Sequence, residues 1–329
     1  SRPGTTFHGS DINMNPCLRL VFFGTPDFAL PSLEALLVGP HEVLAVVTRP
    51  ARPRGRGQAV TVSPTAALAG REGVEVIAPE DPSDADFQER ITKLRPDLGV
   101  VVAYGRILPV SLLERLPLGF INAHASLLPR LRGAAPVERA ILSGLETTGV
   151  TIMRLDEGMD TGPVMSAREH PITSGTDSGR LFGELSHLSA DLLTDAVSRL
   201  ATGEATFAAQ NEKAATYAAP IAKEEARIDW TGDAAVAERQ ILAFSPVPGA
   251  FSFDKGRRLV LLEARAMAGT SGEKPGEADT DPDGKLRVAC GKGQLLVARV
   301  KPAGGRAMSA ADYVRGRRDS GPLLFDDQN

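Results

Sequence analysis

Apolar and polar positions along this chain fall into two periods, and the first half switches between them at short, regular intervals. Leu18 to Phe23 is a short apolar run halted by Gly24, Thr25 and Pro26, and Pro31 to Val38 follows with helical spacing, so the chain opens as strand, loop, helix. Val43 to Thr48 predicts a second strand, Pro64 to Glu72 a helix, and Val74 to Ile77 a strand. Asp84 to Leu94 reads as an amphipathic helix and Leu98 to Ala103 as a fully buried strand. Leu108 to Leu116 is expected to be the next helix and Ile121 to Ala123 the next strand, after which Pro136 opens a helix that Gly144 stops. Near-continuous apolar strands alternating with helices at βαβ spacing predict a Rossmann-like α/β fold with a mainly parallel sheet covered on both faces.

Beyond that point Gly149 to Leu155 and Val164 to His170 read as a hairpin-like strand pair around the acidic loop Asp156 to Pro163. From Ser178 to Leu200 apolar residues fall at 181, 185, 188, 192, 196 and 200, the spacing of a long amphipathic helix. The pattern then stops. Residues 202–222 are rich in Ala, Thr, Glu and Gln without a period and read as a linker between two domains, 18–201 and 223–329. The second domain predicts a helix over Ala234 to Phe244, strands near Ala250 to Phe253 and Arg258 to Ala264, and a hairpin joining Leu286 to Cys290 with Leu295 to Val300. Gly269 to Gly284, acidic and rich in Pro and Gly, is expected to be a mobile loop. Many short strands with one or two helices predict a small, OB-like β-barrel. Residues 1–17 are polar and aperiodic and read as a leader outside the fold.

Charge alters this picture only locally. The net charge of −4 gives no sign of a nucleic-acid binder, yet residues 285–318 carry nine Lys and Arg with Asp312 as the only acid. Arg49 to Gln58 likewise holds Arg49, Arg52, Arg54 and Arg56 with no acid. Its prolines and glycines suit a solvated surface loop, while its guanidiniums suit an arm that forks onto phosphates. Cys17 and Cys290 lie far apart and in no metal-like spacing, which argues against a disulfide scaffold or a zinc site. No apolar run is long enough for a membrane span.

The candidate chemistry is concentrated in Ile121 to Pro129. On a strand, side chains two apart share a face, so Asn122 and His124 stand together near the carboxyl end, where open α/β sheets bind ligands. A lone strand His is more often structural, and Asp160 alone is an ordinary turn aspartate. Together they would supply an amide that stabilises charge, a ring that moves a proton, and a carboxylate that orients the ring. Whether the three converge is left to the tertiary structure.

Phe-Phe-Gly-Thr-Pro-Asp-Phe (22–28), Val-Val-Ala-Tyr-Gly (101–105), Ile-Asn-Ala-His-Ala-Ser-Leu-Leu-Pro-Arg (121–130), Arg-Gly-Ala-Ala-Pro (132–136), Asp-Glu-Gly-Met-Asp-Thr-Gly (156–162) and Lys-Glu-Glu-Ala-Arg-Ile-Asp-Trp (223–230) together resemble the methionyl-tRNA formyltransferases. The resemblance runs from about Leu18 into the C-terminal region. It implies that Asn122, His124 and Asp160 occupy the catalytic triad positions and that Ser126, Leu127, Leu128 and Pro129 lie along the folate. It also implies that the Arg49 to Gln58 loop enters the acceptor end of initiator methionyl-tRNA, that Arg52 is a functional arginine, and that the C-terminal barrel contacts the tRNA stem. The implied formyl donor is 10-formyltetrahydrofolate, with no metal and no membrane, in a cytoplasmic monomer. One departure stands out, since Gln58-Ala59 replaces a Lys-Lys pair frequent in the family. Rival readings keep the triad with a small amine acceptor such as glycinamide ribonucleotide or a sugar nucleotide, make the chain a catalytically idle RNA binder, or make it a dehydrogenase. The absence of a G-x-G-x-x-G fingerprint weakens the last.

Overall fold

The computed structural model describes residues 17–54, 59–269, 273–317 and 323–326. Most of the expected leader, Arg56 with its neighbours at 55–58, and residues 270–272 of the expected loop lie outside the described residues. The chain divides into two compact units. One holds the segments up to His124, Thr151–Ala167 and Ser186–Gln210; the other holds Ala125–Val150, Arg168–Leu185 and the chain from Asn211 onward.

In chain order the elements begin with β1 (Arg19–Gly24), α1 (Leu30–Val38), β2 (Glu42–Val47), β3 (Arg52–Arg54) and β4 (Ala59–Thr61). Next come α2 (Pro64–Arg71), β5 (Glu75–Ile77), α3 (Ala85–Lys93), β6 (Leu98–Val102), α4 (Val110–Leu113) and β7 (Phe120–His124). They continue with β8 (Arg132–Gly133), α5 (Pro136–Leu142), β9 (Thr147–Arg154), β10 (Val164–Pro171) and α6 (Ser178–Ala201). A seven-stranded sheet takes the order β10-β9-β7-β6-β1-β2-β5. The pairs among β5, β2, β1, β6 and β7 are parallel and β9 runs antiparallel to β7, which is the mainly parallel α/β sheet that the alternating pattern predicts.

Packing follows the apolar runs. Val21, Phe23, Ala45, Val47 and Val101 are buried against Tyr104 and Phe120, whose rings meet the Phe23 ring edge-on at 5.5 and 5.6 Å. Gly99 is required here because a Cβ on it would overlap the Phe120 ring. Asp84 caps α3 by accepting from Phe87 N at 2.9 Å, and Phe87, Gln88 and Ile91 form the buried face of that helix.

Three expectations are corrected. The helix anticipated over Leu108 to Leu116 shrinks to α4, a single turn after Pro109. Its last bonds tighten to Arg115 N→Leu112 O, because Pro117 disfavours helical backbone at Leu116. The Arg49 to Gln58 segment is not wholly irregular: β3 pairs antiparallel with β4, Arg52 opposite Thr61 and Arg54 opposite Ala59. A three-residue ladder needs only a few backbone bonds, which Pro53 weakens without abolishing.

The third correction lies in the second unit, which adds β11 (Tyr217–Ala218), α7 (Ala234–Phe244), β12 (Phe251–Asp254), β13 (Arg257–Met267), β14 (Glu277–Thr280) and β15 (Leu286–Ala289). It ends with β16 (Gln294–Pro302), β17 (Met308–Ser309), α8 (Ala310–Arg315) and β18 (Leu323–Asp326). Its sheet runs β13-β12-β18-β14-β15-β16-β17, and β13 also pairs with β16, so six antiparallel strands close into a barrel. The expected mobile loop therefore contains β14. Its acidic, Gly-rich sequence has no strand signal of its own; β15 on one side and β18 on the other supply the pairing. Trp230, 2% exposed, stacks on Phe325 at 5.6 Å and donates its indole N–H to Ser252 Oγ at 2.9 Å. The aperiodic 202–222 segment carries β11, which pairs parallel with β8, and Arg132, 1% exposed, makes a two-pronged bond to Glu212 at 2.7 and 2.9 Å. No helix among the described residues is long and apolar enough to cross a membrane.

Candidate active site

β7 carries two of the expected residues, and its register explains how they are presented. Asn122 lies opposite Met153 and His124 opposite Thr151 on β9, so the two side chains share one face of the strand at its carboxyl end. Asn122 is half-buried, whereas His124 is only 7% exposed. Leu155 N donates to Phe120 O at 2.9 Å, and directly afterwards the chain leaves the sheet in the Asp156–Gly162 loop.

That loop returns a carboxylate to the ring. Asp160 Oδ2 lies 3.6 Å from His124 Nδ1, with the two side chains 15% and 8% exposed. This is a close polar contact, a few tenths of an ångström beyond a hydrogen bond. Asp156 Oδ1 braces the loop from within, accepting from Gly158 N at 3.1 Å and Thr161 Oγ1 at 2.7 Å. Asp160 itself adopts φ 55°, and a Cβ on Gly162 would run into the Arg154 carbonyl oxygen, so the path has little freedom. The Arg154 guanidinium sits 4.3 Å over the Phe207 ring, and burial holds its pKa below the usual arginine value.

The remaining candidates sit elsewhere. Ser126 is fully buried, and its hydroxyl donates to Arg130 O at 2.6 Å, closing the turn that contains Leu127, Leu128 and Pro129. The Leu128–Pro129 peptide is cis, and Pro129 O accepts from Thr216 N at 3.2 Å. Arg49 is exposed, with its backbone N–H on Thr25 Oγ1 at 3.3 Å; Arg52 and Arg54 lie on β3. Burial pushes the Tyr104 hydroxyl up to about 12. Among the described residues no group of three or more His, Cys, Asp or Glu is arranged to hold a metal ion. The supports of the acidic loop, Phe207 and Gln210 among them, left no mark in the sequence pattern, because they come from the aperiodic segment after α6.

Comparison with known proteins covers most of the chain. The family model described as formyl transferase matches residues 18–197, and the model described as formyl transferase, C-terminal domain, matches 220–318. The methionyl-tRNA formyltransferase of Methylobacterium sp. (strain 4-46) is 45% identical over 305 residues, covering 92% of this chain and 97% of the relative. The enzyme of the same name from Pseudomonas fluorescens (strain SBW25) is 42% identical over 306 residues, covering 93% and 96%. Among solved structures, an N-formyltransferase from Helicobacter canadensis in complex with folinic acid and dTDP-3-aminofucose superposes with a TM-score of 0.64 at 17% identity, covering 85% of this chain and 98% of that one. HypX from Aquifex aeolicus in complex with tetrahydrofolic acid gives 0.61 at 18% identity, covering 94% and 51%. At such identities the two structures speak for the fold alone. With two family models spanning most of its length and relatives above 40% identity over more than nine-tenths of it, the chain belongs to the methionyl-tRNA formyltransferase family.

Proposed function

We propose that this chain transfers the formyl group of 10-formyltetrahydrofolate to the α-amine of initiator methionyl-tRNA. The observation that carries the reading is the 3.6 Å approach of Asp160 to the His124 ring, beside Asn122 at the carboxyl end of β7. The folate supplies an activated formyl carbon, and the chain's residues manage charge and protons around it. When the amine adds to that carbon, negative charge develops on the formyl oxygen. The Asn122 amide and the His124 ring donate to it, each good donor contributing roughly 3 to 4 kcal/mol at the transition state. Asp160 fixes the ring through Nδ1 and leaves Nε2 for the reacting atoms. The amine loses one proton and the departing N10 gains one, so a relay through water held by Asp160 and His124 balances the reaction. Transfer to the amine is direct and needs no covalent enzyme intermediate.

In this reading Ser126, Leu127, Leu128 and Pro129 border the folate, and Arg49, Arg52, Arg54 and Arg56 meet tRNA phosphates. Residues 18–201 form the catalytic domain, 202–222 the linker and 223–329 the tRNA-contacting barrel, in a cytoplasmic monomer. The test presents 10-formyltetrahydrofolate with charged initiator tRNA, glycinamide ribonucleotide or a sugar-nucleotide amine, using wild-type protein and His124→Ala. Formylation of the charged tRNA alone, lost in His124→Ala, is the expected result. Activity confined to a small amine would overturn the reading, and sedimentation of the enzyme as a dimer would overturn the monomer.

A further inference from the structure

We propose that Gln210 is a positioning residue for this reaction, setting the Asp160 carboxylate against His124; the proposal rests on the formyl-transfer reading above. Gln210 Nε2 donates to the Asp160 carbonyl at 2.9 Å and to the Gly162 carbonyl at 2.7 Å. A primary amide carries two N–H donors, and here both grip one short stretch of backbone. The stretch needs such a grip. Asp160 is held at φ 55°, where an L residue's Cβ crowds its own carbonyl, so the residue relaxes unless its surroundings prevent it. The internal brace from Asp156 is an acceptor for Gly158 N and Thr161 Oγ1, whereas a carbonyl takes a donor, which is what the Gln210 amide supplies.

The residue that does the gripping is itself anchored. Ala208 and Val164 exchange both backbone hydrogen bonds, each 2.8 Å, which ties the Gln210 segment to the far end of the loop. Phe207 lies under the Arg154 guanidinium at 4.3 Å, which ties it to the near end. Segment 207–210 therefore clasps the Asp156–Gly162 loop at its entry, its exit and its catalytic residue. A carboxylate 3.6 Å from its ring has little room to drift before orientation of the imidazole is lost.

Gln210→Met keeps side-chain length and removes both donors. Turnover and KM for charged tRNA and for 10-formyltetrahydrofolate are measured in wild type, Gln210→Met, Asp160→Ala and the double variant. The expected result is a kcat lowered about 10- to 100-fold in Gln210→Met, with both KM values within about twofold. The double variant then turns over at the Asp160→Ala rate, since the two substitutions remove one shared effect. Unchanged kcat in Gln210→Met would overturn the proposal. Equal fold-losses from Gln210→Met with and without Asp160 would overturn it too, because a general loss of folded enzyme multiplies through both backgrounds. Wild-type protein inactive on charged tRNA would sink the formyl-transfer reading itself, and the positioning role with it.

Discussion

Two polar excursions leave the sheet, one braced by side chains and the other carrying a short backbone ladder. The Asp156–Gly162 loop after β9 is held by side chains: Asp156 from inside, Gln210 from outside, and a glycine where no Cβ fits. The arginine segment after β2 enters the fold through backbone pairing of Arg52–Arg54 with Ala59–Thr61. The difference matches what the proposed function asks of each. One carboxylate must reach one ring nitrogen, where a displacement of about 1 Å can cost about 100-fold in rate. A set of guanidiniums facing a polyanion acts through summed charge, which tolerates variation in place.

Substitutions that preserve charge but move it should therefore divide the two segments. The largest effect is expected from Gly162→Ala, whose methyl collides with the Arg154 carbonyl; kcat should fall by about 100-fold or more, measured by single-turnover formylation of charged tRNA. Asp160→Glu keeps the negative charge and lengthens the arm by one methylene, and should cost about 10- to 100-fold in kcat with little change in KM. Wild-type turnover in Asp160→Glu would break the comparison, since it would make the loop a charge carrier and not a positioning device. Replacing Arg52, Arg54 and Arg56 together by Ala should weaken tRNA binding about tenfold near physiological salt and make the slope of log K against log salt shallower by about 2 to 3, read from binding titrations at several ionic strengths. The smallest effect is expected from replacing the same three by Lys, with affinity within about twofold and the slope unchanged. Lys variants as weak as the Ala variants would show that planar forks, not charge, make the contact.

The sequence and the tertiary structure divide the fold in a similar way. The long helix α6 spans Ser178–Ala201 and buries Leu181, Leu185, Leu192, Ala196 and Leu200, as its three- and four-residue spacing predicts. β6, buried at every position, matches the unbroken apolar run that announces it. By contrast β14 and β11 carry no period. β14 exists because β15 and β18 flank it, and β11 because β8 lies alongside, so neighbours distant in the chain meet their hydrogen-bonding needs. α4 falls between these cases: its leucines keep helical spacing, but the two prolines around it leave room for one turn.

The candidate site shows the same division. That Asn122 and His124 share a face follows from the two-residue period of a strand, which any short apolar run ending in polar residues would reveal. That Asp160 closes on His124, and that Gln210 holds it there, depends on contacts between segments separated by whole elements. Such contacts are made by single side chains on backbone atoms, and they impose no repeating pattern on the chain. Local periodicity and capping chemistry thus determined most of the strands and helices and the orientation of the reactive pair. The sequence named Asp160 as the partner of the imidazole, but only the tertiary structure brought the two into contact, because that approach is made by the course of a loop and by the residues that clasp it.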